Sequence, residues 1–510
     1  MIYNEKIDLG VIVTTLIIVT ISCSLAFFAA RVVGEPKDIN LVAKNVSITF
    51  NDTSIIANGV VSPGWNTTKT FTITNNSKEE YKYNISIKDL INTFVTEGYL
   101  QYKITSTNGY NMTEFKDIPK SSAPKDTILA YSVSIPVGVT QNYTIEFKYA
   151  NDESVDQSDD MGRKLSGTLF ITEGTEEPVT LLSQILNDNP TRSTRSNNNN
   201  GTNDFATPLT ATTTGTLFTS TESITGITDT PKEVYYYAGN TTKNWVKFAN
   251  LYWRIIRTNH DSSIRLLYVG TSHDTTTGNI GTSAFNTSYN SPKYVGYKYG
   301  EDTSLDTIRN NTTDSTIKTT IDTWYQNNLT NYTKYLSTSA VYCNDRSEGT
   351  GQTYSASADF NFAPYYRMDY DTDGASSNPS YNCTDIRDAF SVDNTNAKLD
   401  YPISLMTADE IAYAGGVAYQ TMSTPYAWFI SNSAGTQVSS YWWSLSPVRW
   451  RGSRAYVWYW YSDHANLYNN RVSNTNAVRP AISLKSCVKT SGGDGSANAP
   501  YTIKETTSGC

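Results

Sequence analysis

Residues 448 to 480 could bind a partner, but their side chains show no catalytic pattern. The stretch reads VRWRGSRAYVWYWYSDHANLYNNRVSNTNAVRP, with five arginines and five asparagines among seven aromatic residues, one acid and no lysine. Burying unpaired arginine or asparagine costs several kcal/mol, so the mixture indicates exposure rather than a plain aromatic core. Exposed Trp, Tyr and Arg dominate binding hot spots. A membrane-inserted stripe fits the dispersed asparagines poorly.

A second set of residues could hold a cation. Asp369, Asp371 and Asp373 are spaced as the start of a calcium loop, with Gly374 at its turn. The twelfth position is Ser380 instead of a bidentate acid, so an ordinary acidic turn competes with a calcium site completed from elsewhere. No cofactor is required, and calcium is the one that the sequence allows. No GxSxG elbow or similar nucleophile motif occurs, so we expect no catalytic residue.

Four cysteines lie beyond the N-terminal segment: Cys343, Cys383, Cys487 and Cys510. Their even number permits two disulfides. Sequence order favours Cys343 with Cys383 and Cys487 with Cys510, although four cysteines allow three pairings. With no CxxC and only three histidines, a zinc site is not expected.

Composition bounds the class of protein. At 510 residues the chain is long enough for two or three domains. Its net charge of −8 and pI of about 5.1 provide no basic field for DNA or RNA. Abundant Thr, Ser, Asn and Tyr with frequent Gly and Pro favour short strands, so we predict a β-rich α+β protein that does not bind nucleic acid.

The N-terminal segment predicts export. Residues 9 to 30 are uncharged and mostly apolar, which is enough to cross a bilayer as a helix. Residues 1–34 are therefore a signal anchor or a signal peptide, and the unbroken hydrophobicity as far as Phe28 favours the anchor. The rest of the chain is expected outside the cytoplasm, anchored to the cell surface through this helix or secreted.

Pattern shifts along the chain predict four further segments. Short alternating strands over 35–175 indicate an antiparallel β-sandwich. Residues 176–215 read as a flexible linker, in which LLSQILNDNP could form a short helix. Residues 216–486 form a second domain with a few helices, one capped at Asp314 or Ser315 and one starting at Thr407 and stopped by Gly415. Residues 487–510 are a C-terminal tail.

Phrases in the first domain resemble a known family. VSPGWNTTKTFTITNNSKEEYKYNISI, followed by DDMGRKLSGTLFITEG, is similar to the camelysin and biofilm-matrix fibre proteins of Gram-positive surfaces. The resemblance implies a spacer or fibre module without catalytic residues.

The second domain resembles another family through an ordered set of phrases. These are YYYAGNTTKNWVKFANLYWRIIR, STIKTTIDTWYQNNL, VYCNDRS, PISLMTADEIAYAGG, YWWSLSP and VRPAISL. Together they are similar to C-type-lectin folds of the formylglycine-generating-enzyme subtype, which includes the variable proteins of diversity-generating retroelements. The cysteine chemistry of the enzymes is not implied, because no cysteine lies between Cys383 and Cys487.

The resemblance implies a variable region at about 448–476, where adenine-directed mutation alters exposed residues that bind ligand. Framework positions would be Ala455, Val457, Leu467, Val472 and 478–480, with Trp458 and Trp460 unassigned. The implied ligand-binding residues are Arg449, Trp450, Arg451, Arg454, Tyr456, Tyr459, Tyr461, His464, Asn466, Tyr468, Asn469, Asn470, Arg471 and Ser473. Strict strand alternation agrees only partly, because it puts Tyr456, Trp458 and Trp460 on one face.

We therefore expect a non-enzymatic, adhesin- or receptor-like binding protein. Its partner would be a protein or glycan on another cell, a phage or a host surface. The first alternative is a structural subunit of a surface fibre or matrix. The second is a glycan-active enzyme that uses carboxylates such as Asp369 and Asp371.

Overall fold

The computed structural model confirms a β-rich α+β protein, with 41% strand and 12% helix. The chain divides into two compact units, Met1–Glu177 and Pro178–Cys510. The described residues are 31–32, 39–43, 46–52, 61–96, 98–198, 202–206, 208–209, 217–368, 378–422, 428–438, 441–506 and 509–510.

The predicted membrane segment, residues 9–30, lies outside the described residues. Among the residues that are described, no helix is both long enough and apolar enough to span a bilayer.

The first unit consists of two sheets around one core. Its strands are β1 (Arg31–Val32), β2 (Ile39–Ala43), β3 (Val46–Asp52), β4 (Asn66–Asn75), β5 (Tyr81–Asn92), β6 (Leu100–Ser106), β7 (Lys116–Asp117), β8 (Ser121–Ile135), β9 (Thr140–Tyr149) and β10 (Leu165–Glu173), with a 3-10 turn at Ser158–Asp160. One sheet has the order β1-β10-β5-β8, and the other β2-β3-β4-β9-β6-β7.

Apolar and polar residues alternate along the strands of this unit, and this alternation forms its core. In β4, Phe71 and Ile73 point inward while Thr70 is exposed, as expected of a strand with one buried face. Ile85 from β5 and Ile145 from β9 belong to the same buried cluster. The two sheets thus share one hydrophobic core.

The second unit carries most of the helices and the remaining strands. Its strands are β11 (Ser193–Thr194), β12 (Asn197–Asn198), β13 (Thr202–Asn203), β14 (Leu217–Ile224), β15 (Thr228–Tyr237), β16 (Trp245–Phe248), β17 (Leu251–Thr258), β18 (Ile264–Gly270), β19 (Thr282–Ala284), β20 (Lys298–Tyr299), β21 (Thr313–Asp314), β22 (Tyr342–Cys343), β23 (Phe360–Asn361), β24 (Ala389–Phe390), β25 (Ile403–Leu405), β26 (Trp442–Arg451), β27 (Arg454–Tyr461), β28 (Asn466–Arg471), β29 (Thr475–Ala477), β30 (Pro480–Leu484), β31 (Thr490–Gly492) and β32 (Tyr501–Ile503). Its α-helices are α1 (Leu181–Asp188), α2 (Leu305–Ile308), α3 (Thr316–Asn328), α4 (Ala363–Met368) and α5 (Ala408–Ala414), and its 3-10 turns are Pro292–Val295 and Thr330–Tyr335.

Two large sheets organise this unit. A ten-stranded sheet runs β11-β14-β15-β17-β16-β32-β31, with β18, β30 and β25 branching from β17. All seven residues of β18 are buried, which is typical of a strand covered on both faces. A six-stranded sheet runs β19-β29-β26-β27-β28, with β23 paired to β26, and it contains the stretch at 448–476.

Both predicted helices are present. Helix α3 begins after Ser315, whose side chain accepts a hydrogen bond from the Lys318 backbone N–H. Helix α5 has a capping box between Thr407 and Glu410 and ends at Gly415, which takes a φ of +118°. An N-cap residue at one end and a glycine at the other explain why local sequence was sufficient to predict α5.

The range predicted as a linker, 176–215, contains helix α1 at LLSQILNDNP, where a short helix is expected. This helix packs into the second unit, which corrects the prediction of a flexible linker at this segment. Helix α1 buries Leu181 and Ile185 in the core of this unit, and the Leu181 N–H donates to the Val488 carbonyl at 2.8 Å. The apolar side chains repeat at a helical spacing of four, which gives the short helix a face to bury.

The predicted C-terminal tail is also part of the fold. Strand β32 pairs in parallel with β16 and antiparallel with β31, and Tyr501 is fully buried. Disulfides join Cys343 to Cys383 and Cys487 to Cys510, the pairing that sequence order favours. The second disulfide joins the first and last residues of this segment.

Candidate ligand-binding surface

The stretch at 448–476 lies on three consecutive antiparallel strands, β26, β27 and β28. A two-residue turn, Gly452–Ser453, joins the first two, and Gly452 takes a φ of +62°, a conformation that favours glycine. The Gly452 N–H donates to the Asp359 carboxylate at 2.5 Å. Turn and register together fix which side chains stand opposite one another.

Fully buried tryptophans support these strands. Trp442 and Trp443 in β26 and Trp458 and Trp460 in β27 are 0% exposed. Trp460 packs edge-on against Phe429, with ring centroids 4.9 Å apart, and the Trp443 indole N–H donates to the Ser283 carbonyl at 2.9 Å. The sheet is therefore anchored in the core of the second unit on both of its faces.

The predicted ligand-binding residues divide by exposure. Arg451, Arg454, His464 and Tyr468 are exposed. Six more are half-buried and still reach solvent, namely Arg449, Tyr456, Tyr461, Asn470, Arg471 and Ser473. The framework residues Ala455, Val457, Leu467 and Val472 and the range 478–480 are buried.

Four predicted contact residues are buried, and for them the prediction of exposed side chains is wrong. Trp450, Tyr459, Asn466 and Asn469 are 3%, 7%, 3% and 9% exposed. Trp450 stands opposite Ala455 on the inward side of the hairpin. The Asn469 amide donates to the Tyr419 hydroxyl at 3.0 Å and accepts from Arg449 at 3.0 Å, so it positions neighbours instead of meeting solvent.

One end of the surface is an arginine face, made of Arg449, Arg451, Arg454, Tyr456 and Arg471. Tyr456 stands directly between Arg449 and Arg471, and Arg451 stands opposite Arg454. Alternate residues of a strand and opposite residues of a pair share a face. The intervening Trp450, Ala455 and Val472 are buried, so the arginine face points outward.

Aromatic rings flank the guanidinium groups of this face. The Arg449 guanidinium lies 5.5 Å from the Tyr456 ring centroid and 5.9 Å from that of Tyr365. Arg471 lies 4.9 Å from the Tyr289 centroid. Such contacts hold the long side chains in place. Arg449 also donates to Asn469 at 3.0 Å, and Arg471 donates to Asn474 at 3.3 Å.

The other end of the surface is a tyrosine cluster, made of Tyr441, Tyr459, Tyr461, His464 and Tyr468. Tyr461 is its centre, with ring centroids 4.9 Å from His464, 5.1 Å from Tyr441 and 5.8 Å from Tyr468. Tyr468 is 41% exposed. The Tyr441 hydroxyl donates to Asp463, and this hydrogen bond raises the pKa of Tyr441 to about 12. Tyr441 therefore stays neutral at physiological pH.

The predicted calcium ligands Asp369, Asp371 and Asp373 lie outside the described residues. The structure instead brings together Asp314, Asp322 and Asp400, whose carboxylate oxygens lie within 4.8 Å of one another. The Lys318 ammonium stands among them, at 3.0, 2.5 and 2.6 Å. Burial alone would lower the pKa of Lys318, but these carboxylates outweigh it and raise the pKa. Lys318 thus supplies positive charge to all three carboxylates, and Lys298 also lies 3.0 Å from Asp314.

A buried ionic network that the sequence analysis missed lies beneath helix α5. The Glu410 carboxylate accepts from Arg257 at 2.8 Å and from Arg265 at 2.6 Å, and Arg257 also pairs with Glu222 at 2.9 Å. All four side chains are at most 4% exposed. The network joins β14, β17, β18 and α5, and the Ala408 N–H at the start of α5 donates to the Ser446 hydroxyl of β26 at 3.0 Å. The network thus fixes helix α5, which is hydrogen-bonded to strand β26.

Comparisons with known proteins identify no family. No family model matches the chain, and no curated protein does. A matching solved structure is titled "AvmM Catalyzes Macrocyclization in Alchivemycin A Biosynthesis"; it is 11% identical, the match covers 28% of this chain and 100% of that one, and the TM-score is 0.16. A likeness at that TM-score carries no argument about fold or function.

Proposed function

We propose that the chain is a bacterial cell-surface binding protein of the kind found as variable proteins of diversity-generating retroelements. In this proposal the second unit has a C-type-lectin fold, and β26, β27 and β28 display the diversifiable surface. One observation carries it: along 448–476, side chains that reach solvent are interspersed with a buried frame. Ten of the fourteen proposed contact residues reach solvent, while Ala455, Val457, Leu467 and Val472 between them are buried.

The chemistry of the outward side chains supports binding. Tyrosine offers a large contact area with few rotors to freeze on association, and arginine offers directional hydrogen bonds. The buried tryptophans beneath them hold the backbone still, which lowers the entropy lost when a partner binds. The partner in this proposal is a protein or glycan on another cell, a phage or a host surface.

The rest of the chain fits display outside the cytoplasm. Two disulfides, Cys343–Cys383 and Cys487–Cys510, are typical of proteins that fold in oxidising compartments. The first unit, a β-sandwich in this proposal, would act as a spacer. The apolar segment at 9–30 would anchor the chain or direct its export.

The neighbouring DNA tests the proposed function. We expect a near-copy of the codons for 448–476 that differs mainly at adenines, beside a reverse transcriptase gene. Sequencing this region from many cells should show changes concentrated at the outward positions. Absence of both the copy and the changes would refute diversification.

A binding experiment provides the second test. Tyr468→Ala and Arg454→Ala change exposed side chains, so both variants should keep the thermal stability of the native chain and lose capture of ligand-bearing cells. Lys232→Ala, which changes an exposed side chain of strand β15, is the control and should change neither property. A loss of stability in the first two variants would identify their side chains as structural.

A structural fibre or matrix subunit is the second candidate. Strand β8 is 15 residues long, and among the described strands it pairs only with β5. An unpaired edge is a template for strand addition. Fibres of the full chain under the electron microscope, unaffected by Tyr468→Ala, would favour this candidate.

A further inference from the structure

The arginine face places like charges side by side. Arg451 and Arg454 stand directly opposite each other across the hairpin, and Arg449 and Arg471 flank Tyr456 in the next row. Like charges opposite one another destabilise a strand pair. The paired arginines therefore do not stabilise the hairpin.

Little negative charge offsets these arginines. Asp359 lies 3.6 Å from Arg451, and both side chains are 48% exposed. Across the described part of the chain, no carboxylate lies within 4.0 Å of the guanidinium groups of Arg449, Arg454 or Arg471. The face is thus a local basic patch on a chain whose net charge is −8.

We propose that the arginine face binds an acidic protein segment in an extended conformation; this deepens the proposed function and rests on it. The arginines form a grid set by sheet geometry, about 6.8 Å apart along a strand and about 9.6 Å apart across two strand spacings. Alternate residues of an extended segment have the same spacing of about 6.8 Å, so acids at alternate positions meet Arg449 and Arg451 in register. The exposed guanidinium forks of Arg451 and Arg454 can each take a carboxylate through two parallel hydrogen bonds.

Sheet geometry and net charge favour this partner over other polyanions. A sheet face is an open platform, whereas small sugars are usually held in concave sites. The acidic chain repels a nucleic acid, whose charge extends far beyond the contact. A short acidic segment engages only the local patch, since screening weakens the remaining charges beyond about 8 Å.

Binding of defined probes to the full chain tests the proposal. The main probe is a peptide in which glutamate alternates with threonine, and the matched probe has lysine in place of glutamate. Heparin and single-stranded DNA represent the other polyanions. We expect the glutamate peptide to bind, the lysine peptide not to bind, and added salt to weaken binding.

Variants at the exposed Arg454 test whether the peptide binds to the arginine face. Arg454→Ala should weaken peptide binding about fivefold, the upper range for an exposed ion pair, and Arg454→Lys should recover only part of the loss because it keeps the charge without the fork. Arg163→Ala removes an exposed arginine from the first unit and should leave binding unchanged. Circular dichroism checks that each variant is folded.

Several results would overturn the proposal. They are no binding of the glutamate peptide, equal effects of Arg454→Ala and Arg163→Ala, or Arg454-dependent binding of heparin or DNA that is tighter than peptide binding. If these occur while codons at 448–476 still diversify, only the ligand class is wrong. If the peptide binds through Arg454 but no template copy or codon variation exists, the diversification in the proposed function is wrong.

Discussion

Replacing Glu410 by glutamine should destabilise the second unit strongly. One Glu410 oxygen accepts from Arg257 at 2.8 Å and Arg265 at 2.6 Å, and the other accepts from the Thr407 N–H at 2.9 Å. A glutamine amide group in either orientation directs its NH₂ at one of these donors. Arg265, which is 0% exposed, then loses the only carboxylate that pairs with it among the described residues. Removing one partner of a buried ion pair costs about 3–5 kcal/mol.

Urea unfolding followed by tryptophan fluorescence measures this loss. Trp65 is the only tryptophan in the first unit, so the other nine of the ten report on the second. Glu301→Gln is the matched control, because Glu301 is 86% exposed and lies 3.7 Å from Lys293; it should cost at most about 1 kcal/mol. If Glu410→Gln costs no more than Glu301→Gln, the buried network does not stabilise the unit as argued.

Three further outcomes are expected. Burial would raise the pKa of Glu222, but Arg257 and His260 lower it to about 2. Because the pKa of an unfolded glutamate is near 4.5, the stability of the second unit should be lost as pH falls from 4.5 towards 2, and an acid titration with no loss there would contradict this. Leu181→Ala should lower the free energy of unfolding in urea by about 2–5 kcal/mol. This loss should exceed that of Leu182→Ala, whose side chain is only half-buried. Equal and small losses would indicate that this segment is a flexible linker after all. Lys318→Met should leave Asp314, Asp322 and Asp400 with only Lys298, which lies 3.0 Å from Asp314. Calcium should therefore raise the unfolding temperature of this variant more than that of the native chain, and an equal response would show that the cluster does not need the charge of Lys318.

Local signals explain which elements the sequence predicts. Helices α3 and α5 carry an N-cap residue followed by apolar residues at helical spacing, and both features are confined to a few consecutive positions. The overall β-rich class follows from composition in the same way. The short helix α1 shows a similar pattern, but its burial depends on the distant Val488 and the core around it, which the linker prediction could not include.

Tertiary context explains what the sequence does not predict at the candidate surface. Alternation predicts one outward face for β27, yet Val457, Trp458, Tyr459 and Trp460 are all buried, because the middle of the strand is covered on both sides. Outward positions therefore remain mainly towards the ends of the strands, such as Arg454 and Tyr461. The sequence likewise does not predict the whole cluster around Lys318. Asp314 and Asp322 are each four residues from Lys318, but Asp400 is 82 residues away and meets it only in the folded chain.

Burial of Asn466 and Asn469 has a consequence for the variants that the proposed mechanism would generate. Both codons would be open to mutation, yet Asn469 holds Tyr419 and Arg449 through hydrogen bonds at 3.0 Å, and a larger or charged side chain would strain a closed site. Changes at Arg454 or Tyr468 alter exposed side chains and cost little. Part of every generation of new sequences would therefore fail to fold before any ligand selects among them, and the usable repertoire would be smaller than the encoded one.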